Sequence, residues 1–115
     1  MMHIFKILLP QEWQELKTTG QMSGAPIDVK DGYVHFPTAA QLRDTAAKHF
    51  PAQKEIVVLA CETDLMESEL NWETSRGGDL FPHLYGPLDI RCVVWHETVD
   101  LKDGVHQFPS RIPLI

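Results

Sequence analysis

The sequence predicts an α+β domain, built on a small, mostly antiparallel and split sheet that carries two short helices. Three observations predict it. Strand-like and helix-like runs follow one another without regular β-α alternation, which argues against a Rossmann-type domain. Proline and glycine interrupt the chain often, so the elements are short and the loops tight. The 115 residues are 43% hydrophobic, enough for one core in one domain spanning 1–115 and too few for a second.

Taken in order, the apolar run His3 to Leu9 reads as a strand. Pro10 stops it and opens a helix over Gln11 to Lys17, where a missing N–H costs nothing. Trp13 and Leu16 share a face of that helix, and Gly20 ends it. Residues 20–31 read as loop, and Asp31-Gly32 as a turn. Tyr33 to Phe36 is a short strand. Thr38 followed by Gln41 is a capping box that starts a helix from Ala39 to about Lys48. Glu55 to Glu62, β-branched and apolar, is the clearest strand. Leu70 to Glu73 is a shorter one, and Thr74 to Pro87 reads as a long loop. Ile90 to Val99 is a strand, Val105 to Phe108 a short one, and the tail from Pro109 is irregular.

Composition narrows the function classes. The net charge is −6, and the ten Lys and Arg are scattered, so duplex nucleic acid is not an expected partner. No apolar run approaches the ~18–20 residues of a membrane span, and Met1 to Lys6 lacks the form of a signal peptide. The expected compartment is the cytoplasm. Cys61 and Cys92 lie in apolar strand-like sequence and read as buried thiols. The six histidines form neither H-x-H nor H-E-x-x-H, and there is no C-x-x-C, so no metal is expected. A serine hydrolase has no G-x-S-x-G elbow to rest on.

Two constellations carry chemistry. In Asp31-Gly32-Tyr33-Val34-His35-Phe36-Pro37-Thr38, a histidine ends a strand beside a capped helix. Imidazole orients hydroxyls or moves protons, and a helix N-terminus welcomes phosphate, so His35 and Thr38 suit a nucleotide. The structural alternative is a histidine that holds the strand end through a backbone bond. The second constellation is Trp72 to Pro87. A loop this long and this apolar folds onto the body and is a functional candidate. In it Arg76 can grip phosphate, Gly77-Gly78 admit a close backbone, and Glu73 can accept from ribose hydroxyls or stabilise a cation. The alternative for Glu73 and Arg76 is a surface ion pair. His3 shares a strand face with Phe5 and Ile7 and, on spacing alone, reads as structural.

These segments resemble a family of small bacterial proteins, domain-of-unknown-function family 952. The resemblance lies in Asp31-Gly32-Tyr33-Val34-His35-Phe36 with Thr38 and Gln41-Leu42, in Leu70-Asn71-Trp72-Glu73, in Phe81-Pro82-His83-Leu84-Tyr85-Gly86-Pro87-Leu88, and in the opening His3-Ile4. It covers roughly His3 to Val99, with Pro37 standing where the family has serine. The family is grouped with ADP-ribosyltransferase-like proteins, close to NAD-dependent RNA 2′-phosphotransferases. The resemblance implies an ADP-ribosyltransferase-like fold with NAD as co-substrate. Carried over, His3 is the first-strand histidine and His35 the second-strand one, both on ribose hydroxyls of NAD. Glu73 is the obvious carboxylate for the open third catalytic position, and Thr38, Arg76, His83 and Tyr85 are the expected nucleotide contacts. Two other classes fit the same residues. One is a nucleotide- or metabolite-binding module without turnover. The other is an interaction protein that docks a partner through Trp72, Phe81 and Tyr85.

Overall fold

The computed structural model describes residues 2–74 and 76–112, for Arg76 the backbone only. Its central layer pairs β1 (His3–Leu8) with β4 (Glu55–Glu62), then β8 (Val93–Lys102) and β9 (Val105–His106), all antiparallel. Both faces of β1 and β4 are covered. On one face α3 (Ala39–His49) lays Leu42 and Ala46 against Phe5, Ile7, Ile56, Val58, Ala60 and Val99. On the other, Trp13 and Leu16 of α1 (Pro10–Thr19) meet Ile4, Leu8, Val57, Leu59 and Cys61. Two-sided burial is why Glu55 to Glu62 is apolar at nearly every position rather than at alternate ones.

A second sheet completes the latter face. Its strand order is β3 (Val34–His35), β6 (Leu80–Leu84), β5 (Leu70–Thr74). Val34, Leu84 and Leu70 turn inward, joined by Phe36. The two-residue strands β2 (Gln21–Met22) and β7 (Leu88–Asp89) form a third pairing. The expected α+β class and split antiparallel sheet are present.

The structure corrects two stretches. Within residues 20–31, read as loop, Pro26–Asp31 forms a helix, α2, so the two expected helices become three. Its Pro26 occupies the first turn, and Gly32, at φ 86°, closes it in the left-handed region. The turn expected at Asp31-Gly32 is the end of this helix.

The stretch Thr74 to Pro87 is not one long loop, because β6 runs through it as the central strand of its sheet. Pro82 concealed it, since proline is rare inside a sheet. Here the carbonyl of Pro82 accepts from Phe36 N–H at 3.2 Å. A residue's N and O point to the same flank, so its missing donor faces the place just beyond His35 where β3 stops. The ladder to β5 therefore runs through Trp72↔Pro82 without a lost bond.

Candidate functional site

The site begins with a buried charge. Asp28, in the first turn of α2, is fully buried. Its Oδ2 accepts from Lys6 Nζ at 2.7 Å and from Ala25 N–H at 2.7 Å. Its Oδ1 accepts from His35 N–H at 2.9 Å and stands 2.5 Å from His35 Nδ1. Lys6 lies on the face of β1 that carries Ile4 and Leu8, so it points toward the second sheet. Its ammonium also donates to the carbonyl of His35 at 2.9 Å. Burial alone would raise the Asp28 carboxyl, but the His35 hydrogen bond and the Lys6 charge hold it below its ordinary 3.8.

The carboxylate fits because Gly24 yields room. A Cβ there would press on the Asp28 side chain at under 3 Å, and Gly24 sits at φ 100°. Gly24→Ala is therefore expected to cost about 1–3 kcal/mol, through the backbone conformation alone and more through the clash. Chemical denaturation of the variant checks it; unchanged stability would contradict the close approach.

The outer face of the second sheet collects the polar groups. His35 on β3 lies directly opposite His83 on β6. Asn71 on β5 lies opposite His83, and Glu73 opposite Phe81. Strand alternation sets all five on one face, away from the core. Glu73 Oε1 accepts from Tyr85 OH at 2.7 Å and stands 2.7 Å from His83 Nδ1. The Tyr33 ring lies amid the others, 4.2 Å from His83, 4.7 Å from His35 and 5.2 Å from Tyr85 between centroids. His35 and His83 meet edge-on at 5.4 Å. The remaining ring nitrogen of His35, Nε2, faces Asp31 Oδ2 at 3.0 Å.

The hydrogen bond from Tyr85, and after it that from His83, holds the Glu73 carboxyl below its usual range. The same bond acts in reverse on Tyr85, whose phenol is pushed up to about 12 because ionising it would set two anions together. Glu73 is thus an anion and Tyr85 a neutral donor across the physiological range. Beside Tyr33 and Tyr85 opens a groove of about 580 Å³, lined also by Asp28, Val29, Val34 and Pro87. Among the described residues, no group of three or more His, Cys, Asp or Glu is arranged to hold a metal ion.

Of the residues singled out in the sequence, the fold brings His35, His83, Glu73 and Tyr85 together. It sets His3 apart. That residue begins β1 on the Phe5 and Ile7 side, half-exposed, with its Nε2 3.8 Å from Glu62. Thr38 stands at the start of α3, where its N–H donates to Gln41 Oε1 at 3.0 Å. The Arg76 side chain lies outside the described residues. Sequence reasoning passed over Lys6, Asp28, Asp31 as a partner of His35, and Tyr33. One signal for Lys6 was available: a lysine inside an apolar strand needs a buried partner. The two cysteines are free and buried, as expected, and burial raises both thiols.

Comparison with known proteins agrees with this architecture. The crystal structure of protein CC0527 from Caulobacter crescentus matches at a TM-score of 0.87 and 42% identity, covering 91% of this chain and 93% of that one. A double-methionine variant of CC0527 matches at 0.87 and 43%, with the same coverage. Its solution NMR structure matches at 0.82 and 42%, covering 93% of each chain. Comparison with curated proteins finds no match. The family described as "Protein of unknown function (DUF952)" matches residues 7–96, most of the chain. The chain belongs to this family.

Proposed function

We propose that the outer face of the β3-β6-β5 sheet binds NAD or a closely related nucleotide and transfers ADP-ribose from it. One observation carries the reading: two histidines, His35 and His83, face each other on neighbouring strands beside an anionic Glu73. Resemblance to ADP-ribosyltransferase-like proteins supports it. In this reading His83, rather than His3, partners His35.

The chemistry follows from the charges. Breaking the nicotinamide–ribose bond leaves the electron pair on nicotinamide and positive charge at C1′ of the ribose. Glu73 supplies fixed negative charge where that cation develops. His83, buried against Tyr33 and bonded to Glu73, holds that carboxylate in place. An acceptor X–H then bonds to C1′ through X and gives its proton to His35 Nε2. Tyr33 and Tyr85 offer ring faces beside a groove whose volume falls within the roughly 300–1,000 Å³ of ligand sites. Thr38, at the start of an eleven-residue helix, and Arg76 are the expected phosphate contacts.

Thermal melting with NAD, ADP-ribose or nicotinamide tests the reading, with His35→Ala alongside. A ligand at about 100 times its Kd stabilises the fold by about 2.7 kcal/mol. Stabilisation that vanishes in His35→Ala, with nicotinamide release seen by mass spectrometry and lost in the same variant, is the expected result. Binding without product would make the site a recognition module. No shift at high ligand concentration would overturn the nucleotide reading.

A further inference from the structure

The buried pair beneath His35 has a chemical consequence for its ring. An ionised carboxylate only accepts hydrogen bonds and has about four lone-pair positions. Asp28 meets four nitrogens: Lys6 Nζ, Ala25 N, His35 N and His35 Nδ1. The first three are donors by their nature. For the fourth contact to be a bond, Nδ1 must carry the hydrogen. Lys6 reinforces this, because it binds both Asp28 and the His35 carbonyl, so the backbone of His35 is held at its N–H and at its C=O. Turning the ring over would place a carbon against the buried carboxylate and forfeit the bond.

We propose that Lys6 and Asp28 are positioning residues that fix His35 with its hydrogen on Nδ1, so that Nε2 is the acceptor nitrogen presented at the open face. The proposal concerns the working nitrogen of the site and holds for any ligand. It also states what that ligand offers. Asp31, now beside Nε2, is itself an acceptor and suits the ring only when a second proton is present. A neutral ring with its hydrogen on Nδ1 is satisfied at Nε2 by a donor, such as a hydroxyl or an amine.

Nitrogen-15 NMR of the imidazole in the free protein tests this, and needs no nucleotide, so it stands or falls apart from the NAD reading. In the wild type at alkaline pH, Nδ1 of His35 is expected to give the protonated, pyrrole-type signal and Nε2 the bare, pyridine-type one. In Asp28→Asn the amide oxygen turns to Lys6 and Ala25 N–H, and its NH2 takes the place of the oxygen that accepted from both His35 N–H and Nδ1. The acceptor for an Nδ1 hydrogen is gone, and the Nδ1–H preference is lost. Lys6→Met/Asp28→Ala leaves no lone charge buried and keeps the test valid should Asp28→Asn fail to fold; there the Nδ1–H preference is lost. A contact that did not set the tautomer would leave it unmoved. Retention of the Nδ1–H form in either folded variant would overturn the proposal.

Discussion

Lys6→Met is expected to destabilise the fold by about 3–5 kcal/mol, because it strips a buried carboxylate of its cation. For a chain of this length that is a fall of roughly 10–20 °C in melting temperature. Methionine keeps most of the volume, so a cavity is not the cause. The removed ammonium had two acceptors, Asp28 Oδ2 and the His35 carbonyl, and both lose a donor, the carboxylate in the buried interior. The same pair shapes the acid response. Since the native Asp28 carboxyl is held below 3.8, its stabilising contribution is complete well above that pH and fades as pH falls through 3.8 toward the lower native value. Lys6→Met should therefore flatten the acid limb of stability against pH. A variant that melts within a few degrees of wild type, with an unchanged acid limb, would contradict the pairing.

On the proposed function, Glu73→Gln is expected to lower ADP-ribosyl transfer by about 10²–10³-fold while the fold persists. The carboxylate sits on the open face, half-exposed, so the amide is accommodated at little cost in stability. What it removes is the negative charge that the proposed transfer sets beside the ribose cation. A second readout needs no substrate. The Tyr85 phenol, pushed up to about 12 by its bond to Glu73, should titrate closer to its ordinary value of 10 in Glu73→Gln, as followed by NMR of the Tyr85 ring. Turnover retained in full would remove Glu73 from the chemistry. An unmoved Tyr85 would deny the bond itself.

Much of this site is legible in the sequence, for reasons that can be named. His35 stood out because it ends a strand just before a capping box, and a capping box is a local signal. The hairpin partners Glu73, His83 and Tyr85 were marked by an aromatic, histidine-bearing stretch too apolar for a free loop. Their geometry was hidden, because Pro82 masks β6 and only the sheet's flanks reveal why it is tolerated there. Asp28 was invisible for another reason. It falls in a six-residue helix whose Ile27 and Val29 are exposed, so no amphipathic period announces it. His3 lies in the opening strand as expected, and alternation turns it with Phe5 and Ile7 to the α3 side, while Lys6 faces the second sheet. A resemblance in motif order fixes the strand and not the face.

The two halves of the site differ in how far the chain must travel to build them. Glu73 reaches His83 across 10 residues and Tyr85 across 12, within one hairpin. Lys6 reaches Asp28 across 22 and the His35 carbonyl across 29. Hairpins close in about 1–10 μs, before more distant contacts offset their own loop-closure entropy. In refolding of the whole chain, the shorter separations favour earlier closure of the Glu73, His83 and Tyr85 cluster, on a hairpin that has not yet met His35. Only the docking of the N-terminal strand, which carries Lys6 into place under Asp28, sets the ring of His35. The base of the site therefore rests on the N-terminal strand, and the hairpin alone does not complete it.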